Sequence, residues 1–483
     1  MTLKRRTFSA VRWTAAAGVF RALLQIAQVA VLARLLSPAD YGLMAMVSVV
    51  LGFGGLFADL GVNSAFVQRQ EVTLGQRSSL FWLNVAVSSG IALLLVALSP
   101  LLSTFFGDGR LTPLLMLSAS TFVLGALGQQ LKMAAEKALH FRPVILTEVS
   151  AAIMGFVAAV LMALGGWGVY ALVLSGIVSA SAGTLLAWLF LADGWRPMWR
   201  LRLSDVRSFL GFGTALIVNN VANQINLTLD IFLGGKLLSA AALGLYSVPR
   251  NLALQVQFMV NPVITRVGFP LISQVQHDVA RVRSIYLQTL NMTASTNAPV
   301  YVGMAFFAPE IVALMLGPGW ERSGELLRIL ALWGGIRSTA NPVGSLLLGM
   351  GRADLSMKWN LALLFLYPPA LWFGSHFGPE GMAWTMLGLM MTFFIPGWYF
   401  LVRPLCKAGL VEYAIAALRP FVFSGIAIAP AYFLALQIDE PVLRLVLGIG
   451  IAAPLYLAVS HLGNREWFRA MLQLAGRRQV AES

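Results

Sequence analysis

Long apolar runs follow one another along the chain, each broken by a short cluster of charges or of Gly and Pro. A bilayer-spanning helix needs roughly 20 mainly apolar residues, and windows of that size recur about fourteen times. The predicted spans are 11–33, 43–66, 80–102, 112–131, 144–164, 168–191, 209–233, 243–265, 292–316, 324–349, 357–376, 380–402, 413–437 and 442–462. Several are not apolar all round. On the first, Thr14, Arg21, Gln25 and Gln28 recur at intervals of seven, four and three, which places them on one helical face. The seventh does the same with Asn219, Asn223, Asn226 and Asp230. The second carries Ser48, Gly52, Gly55, Asp59 and Asn63, and the eighth Tyr246, Arg250, Gln257 and Asn261.

The pattern is written twice. Arg34-Leu35-Leu36-Ser37-Pro38-Ala39-Asp40-Tyr41-Gly42-Leu43 returns as Lys236-Leu237-Leu238-Ser239-Ala240-Ala241-Ala242-Leu243-Gly244-Leu245, an ungapped spacing of 202 residues. That register sets Arg21 against Asn223, Gln28 against Asp230, Ser48 against Arg250 and Asp59 against Asn261. Further on, Gly107, Gly109 and Arg142 are matched by Gly317, Gly319 and Arg352 at a spacing of 210. The added residues fall in the segment from Arg266 to about Asn291, where Val275, Val279, Val282 and Ile285 predict a helix lying on the membrane surface. Copies with an even number of spans share one orientation, related by an axis along the membrane normal. The domain reading is an N-lobe of six spans over 1–192, a cytoplasmic linker over 193–208, a C-lobe of six spans over 209–403, and two appended spans with a cytoplasmic tail over 404–483.

Composition fixes the class. Of 483 residues, 58% are hydrophobic and 11% charged, with a mean hydropathy of +0.78, which excludes an ordinary soluble domain. The chain reads as an all-α integral membrane protein. Its net charge of +14 does not mark a nucleic-acid partner, because the bases alternate by loop. With a cytoplasmic N-terminus, only Arg34, Arg110, Lys236, Arg322 and Arg444 fall outside, while Lys4, Arg5, Arg77, Arg142, Arg200, Arg352, Arg403, Arg478 and many others fall inside. This positive-inside bias puts both termini in the cytoplasm. Cys406 stands alone, the four histidines show no metal-ligand spacing, and neither a phosphate loop nor a nucleophile elbow is present. No catalytic residue, metal or cofactor is assigned, and the chain is not read as an enzyme.

The polar stripes carry the remaining information. A charge at the bilayer centre costs roughly 2.5–3.5 kcal/mol on insertion scales, so such residues face a cavity or one another. Four stripes in matching register predict a shared polar cavity. Arg21 and Arg250 are its candidate substrate-binding cations, since guanidinium pairs with planar oxyanions; Arg328 and Arg337 are candidates to join them. Gln25, Gln28, Asn223 and Asn226 suit hydroxyl groups of a substrate or hydrogen bonds between helices. Asp59 and Asp230 suit ion coupling or structural pairing.

One family fits these residues. Ala33 to Gly42 with Asp59-Leu60-Gly61 and Gln68-Arg69, Asp230 to Gly235, Leu243-Gly244-Leu245-Tyr246 with Arg250, Pro262 through Phe269-Pro270, Gly349-Met350-Gly351-Arg352 and Phe377-Gly378 with Gly381 resemble, in order and spacing, the Wzx-type polysaccharide flippases of the MOP exporter superfamily. The resemblance implies two pseudo-symmetric six-helix lobes in a V-shaped, MATE-like fold plus two C-terminal helices. A major-facilitator fold is the rival, but its Gly-x-x-x-Asp-Arg-x-Gly-Arg-Arg loop is absent where this chain has Phe66-Val67-Gln68-Arg69-Gln70-Glu71. It further implies an undecaprenyl-diphosphate-linked glycan as partner, flipped by alternating access across a bacterial inner membrane for exopolysaccharide or lipopolysaccharide synthesis. A polysaccharide polymerase and export machinery are the further partners it implies. A cation-coupled drug or metabolite exporter of the same superfamily is the first alternative. A membrane polymerase or glycosyltransferase is the second, disfavoured because the outside segments are short and nearly free of charge.

Overall fold

The computed structural model describes residues 18, 20–59, 66 and 72–481, and their side chains except at 59, 203–204, 207–220, 222, 260, 262–267 and 474–481. The helices are α1 (Phe20–Ala33), α2 (Pro38–Asp59), α3 (Leu74–Phe106), α4 (Leu111–Lys137), α5 (Phe141–Leu164), α6 (Val169–Phe190), α7 (Leu203–Leu237), α8 (Ala240–Gln274) and α9 (Val279–Phe306). They continue as α10 (Ala308–Met315), α11 (Glu321–Ala340), α12 (Pro342–Gly349), α13 (Ala353–Ser375), α14 (Gly378–Thr392), α15 (Phe394–Cys406), α16 (Leu410–Ala435), α17 (Pro441–Gly463) and α18 (Arg465–Ala481). Among the described residues, seven helices are long and apolar enough to cross a membrane, namely α2 to α6, α16 and α17. The count rises to nine if α9 with α10, bent by 76°, and α14 with α15, bent by 40°, each form one span. A span is also expected at α11, but Glu321, Arg322, Glu325, Arg328 and Arg337 make it too charged to qualify by composition. The protein is thus all-helical and multi-pass.

The surface helix expected between Arg266 and Asn291 does not form. Instead α8 runs on to Gln274 and α9 begins at Val279, where the Asp278 carboxylate accepts the N–H groups of Ala280 and Arg281 at 3.1 Å each. Val282 and Tyr286 are buried with Ile272 and Leu346, and Val275 and Ile285 pack on that cluster. The apolar face was real, but it meets protein rather than lipid. Cys406, which falls between the expected spans 380–402 and 413–437, is buried at the end of α15.

The chain divides into two compact units, 1–244 and 245–483, with the boundary inside α8. In the first unit α5 packs on α6, α3 on α4, α4 on α6 and α2 on α7. Small residues have a large share in the interfaces: α3 buries Ser78, Ser79, Ser88, Ser99 and Ser103 beside Leu80, Phe81, Leu95 and Phe106, while Leu93, Leu94 and Leu101 are exposed. Lipid tails are as apolar as leucine, so close packing and hydrogen bonds hold such helices together rather than hydrophobic burial. The segment before α7 and the first turn of α7 are fastened to the start of α3, where the Trp82 indole donates to the Met198 carbonyl at 2.9 Å and the Ser79 hydroxyl to Asp205 at 3.1 Å.

Both copies of the repeated stretch are helix N-caps. The Ser37 hydroxyl accepts the Asp40 N–H at 3.3 Å, and the Asp40 carboxylate takes the Ser37 N–H at 2.9 Å in return. The Ser239 hydroxyl accepts the Ala242 N–H at 3.2 Å. Five residues beyond each serine stands a glycine, and within the first unit these two meet backbone to backbone. A Cβ on Gly42 would overlap the Ala240 carbonyl, and one on Gly244 the Pro38 carbonyl.

In the second unit α9 packs against α11 and α16, and α16 against α17. The last two spans are locked to α9 by polar bonds as well as by packing: Arg419 and Asn291 both donate to the Asn464 side-chain oxygen at 3.0 Å, and Tyr456 donates to the Ser295 carbonyl at 2.6 Å. Glu310 of α10, only 4% exposed, pairs with Arg444 of α17 at 2.9 Å.

Candidate functional site

On α1, Arg21 and Gln25 are exposed and Gln28 is half-buried, so this face is accessible over two turns. Leu32 anchors the far end of α1 among Leu36, Ala159, Ala163, Ala171 and Leu172, which holds the helix against α5 and α6. That packing brings Arg21 to Glu148 of α5, with which it forms an ion pair, the side chains 44% and 30% exposed. Glu136 of α4 lies within electrostatic reach of both Glu148 and Lys132. Arg21 therefore belongs to a cluster of two cations and two carboxylates and does not stand as an isolated positive charge.

The stripe on α7 also lies in the first unit. Asn223 is exposed, Asn226 half-buried, and Asp230 buried at 1%. Helix α7 approaches α2 at Gly52, where an added Cβ would stand 2.8 Å from the Gln224 amide nitrogen. The side chain of Asp59 lies outside the described residues, as do Thr14, Asn63, Gln68, Arg69 and the side chain of Asn219.

In the second unit the stripe on α8 is buried in protein. Tyr246 is fully buried, Arg250 is 4% exposed and Asn261 3%. Arg250 lies 5.9 Å from the ring centroid of Trp333 on α11, and Arg337 lies 5.6 Å from the same ring. Two guanidinium groups thus lie against one aromatic ring, an arrangement that stabilises cations within low-dielectric surroundings. The Trp333 indole N–H has no acceptor among the described residues. Farther along, Asn261 donates to the Ser338 carbonyl at 3.0 Å and accepts from the Ser338 hydroxyl at 3.0 Å and from Asn297 at 2.9 Å. This amide ties α8 to α11 and α9, a structural task. Arg328 donates to the Ala305 carbonyl at 3.3 Å and is likewise engaged with α9.

A family model described as polysaccharide biosynthesis protein matches residues 31–325. The chain belongs to that family. Its Wzx-type character, first read from Ala33 to Gly42 and the motifs that follow, is borne out by its relatives. The lipopolysaccharide biosynthesis protein WzxC of Escherichia coli (strain K12) is 28% identical over 437 residues, covering 90% of this chain and 89% of that one. The teichuronic acid biosynthesis protein TuaB of Bacillus subtilis (strain 168) is 26% identical over 461 residues, covering 94% and 95%. In fold, the chain is similar to the lipid II flippase MurJ in an inward closed conformation, with a TM-score of 0.76 at 14% identity over 94% of this chain and 99% of that one.

Two residues of this family member escaped the sequence reading. Glu148 was legible as a carboxylate inside the apolar run 144–164, but it belongs to no stripe and was passed over. Trp333 looked like one aromatic among many, and only the fold shows two arginines against it.

Proposed function

We propose that this protein flips undecaprenyl-diphosphate-linked oligosaccharide repeat units from the inner to the outer leaflet of a bacterial inner membrane, for exopolysaccharide or lipopolysaccharide synthesis. The observation that carries the proposal beyond family membership is Arg250, a permanent cation buried in α8 against the Trp333 ring, which Arg337 also approaches. Holding such a group in a membrane is costly, and a planar fork of donors is suited to a diphosphate. Arg21 meets the same group in the first unit, exchanging it with Glu148. Gln25, Gln28, Asn223 and Asn226 offer hydrogen bonds to sugar hydroxyls. Asp59 and Asp230 serve ion coupling or structural pairing.

The chain in this reading has fourteen spans: six over 1–192, six over 209–403 after the cytoplasmic linker 193–208, and two over 404–483. Both termini face the cytoplasm. The paired turns at Gly42 and Gly244 lie on the outer side and close when the substrate is taken from within, so alternating access opens them. The chemistry is binding and movement with no bond made or broken, hence transport and not enzymology. A polymerase and export machinery receive the flipped unit.

Deleting the protein from its native cell and analysing lipid extracts tests this directly. A lipid-diphosphate-linked oligosaccharide is expected to accumulate while surface polymer disappears; loss of polymer without such accumulation overturns the reading. Cysteines placed at Ser37 and Ser239 are expected to react with a membrane-impermeant reagent only from outside. Labelling only from inside overturns the topology.

A further inference from the structure

Between α2, α3 and α4 of the first unit lies a cavity of about 300 Å³ that none of the roles above uses. Among the described residues no charged side chain lines it. Its polar groups are Asn84 and Ser88, one turn apart on α3, and Thr121 and Gln129 on α4, with the ring of Phe122 beside them. Among the described residues, neither the Asn84 nor the Gln129 amide has a hydrogen-bond partner. Each amide carries two N–H donors and an acceptor oxygen, within a segment where lipid supplies none. The Thr121 hydroxyl donates to the Ser118 carbonyl at 2.6 Å, which leaves its oxygen lone pairs available.

Glycines keep this space open. Gly55 of α2 and Gly125 of α4 both line the cavity, and a Cβ on either would meet nothing within 4 Å. Glycine weakens a helix interior relative to alanine, and here no close approach of a neighbouring helix requires it. Gly54 differs: a Cβ there would stand 2.5 Å from the Phe122 ring. One glycine seats the aromatic ring, and two preserve a void beside it.

Neutral donors and acceptors next to an aromatic face match a sugar ring, whose hydroxyls both give and take hydrogen bonds and whose C–H face packs on an arene. A diphosphate calls for cations, and a bare metal ion would leave the amide N–H groups unused. The volume sits at the low end of the roughly 300–1,000 Å³ common for small-ligand pockets, room for one sugar residue and not a whole repeat unit. We propose that this cavity is a subsite for one sugar residue of the transported glycan, a proposal that rests on the function given above.

The test uses full-length protein in lipid nanodiscs and two probes: undecaprenyl diphosphate without sugar, and the lipid-linked oligosaccharide extracted from the deletion strain. Wild type is expected to bind the glycosylated lipid at least about tenfold more tightly than the bare one. Gly125→Leu, which fills the void, and the pair Asn84→Ala/Gln129→Ala are expected to abolish that preference while binding bare lipid as wild type does. Gly125→Ala, which adds one atom in open space, retains most of it and controls for folding. A glycan preference that survives in Gly125→Leu overturns the subsite and leaves the flippase reading standing. Equal loss of both lipids in that variant also overturns it, since the cavity would then shape the diphosphate site or the fold. Wild type that binds neither lipid overturns both proposals.

Discussion

Ser37 and Ser239 are separated by the repeat spacing and perform the same task, each capping the helix that follows it. Arg21 of α1 and Arg250 of α8 both belong to polar stripes legible in the sequence, yet their situations differ. Arg21 is half exposed and neutralised by Glu148, whereas Arg250 is almost fully buried against Trp333. The repeat therefore preserves what the backbone needs, a cap and a glycine for close approach, and leaves side-chain chemistry free to diverge. The register already hints at this, since it aligns Arg21 with Asn223 and Arg250 with Ser48. Two arginines that look interchangeable in the sequence stand in different surroundings: one pairs with a carboxylate at an accessible face, the other is buried against an aromatic ring.

The conserved half of this comparison breaks most severely at the glycines. Gly42→Ala and Gly244→Ala each drive a methyl group into a backbone carbonyl of the facing turn, Ala240 in one case and Pro38 in the other. Backbone cannot rotate aside as a side chain can, so the turns must separate. Each variant is expected to abolish surface polymer in a complemented deletion strain, while reaching the membrane in normal amount on an immunoblot. Gly90→Ala, where the added atom meets nothing within 4 Å, serves as control and keeps output unchanged. Full polymer output from either turn variant would show that these glycines do not form a working contact.

Much of the fold was legible because spanning helices are governed by length and hydropathy alone. The start of α2 was placed at residue 43 and lies at Pro38, because Ser37 caps and Pro38 opens the helix before the apolar run begins. The helix expected on the membrane surface was misplaced for a different reason: an apolar face at helical period looks the same whether it meets lipid or protein, and Val282 and Tyr286 meet protein. The site was legible only in part. Arg21, Gln25 and Asn223 are exposed whereas Asp230, Arg250 and Asn261 are buried, since periodicity reports a shared face and not what covers it. The cavity at Asn84, Ser88, Thr121 and Gln129 was invisible because its polar groups come from two helices, and none of them forms a long stripe.

The buried cation gives the next largest effect. Arg250→Ala is expected to reduce polymer output to background, and Arg250→Lys to lower it at least about tenfold, because an ammonium is a point charge that lacks the planar fork. The second variant separates charge from geometry. If Arg250→Lys transports as wild type, positive charge alone suffices and bidentate recognition of a diphosphate is wrong. Thermal unfolding of the purified variants checks that the loss is not one of stability. Arg337→Lys, on the same Trp333 ring, is expected to weaken transport less than Arg250→Lys does.

At Arg21 magnitudes decide what can be learned. Ion pairs as exposed as Arg21 and Glu148 typically contribute only about 0–1 kcal/mol to stability. Removing either partner should therefore leave thermal unfolding nearly unchanged, so any change in transport reports on function. Arg21→Ala is expected to lower output several-fold. Glu148→Gln leaves the guanidinium in place without its competitor, so substrate binding tightens while release slows, and output falls by a smaller factor. Measured in nanodiscs with the extracted glycolipid, Glu148→Gln should show lower Kd together with lower turnover. If Glu148→Gln and Arg21→Ala weaken binding equally, the pair acts as a structural clamp between α1 and α5, and the exchange of Glu148 for diphosphate is excluded.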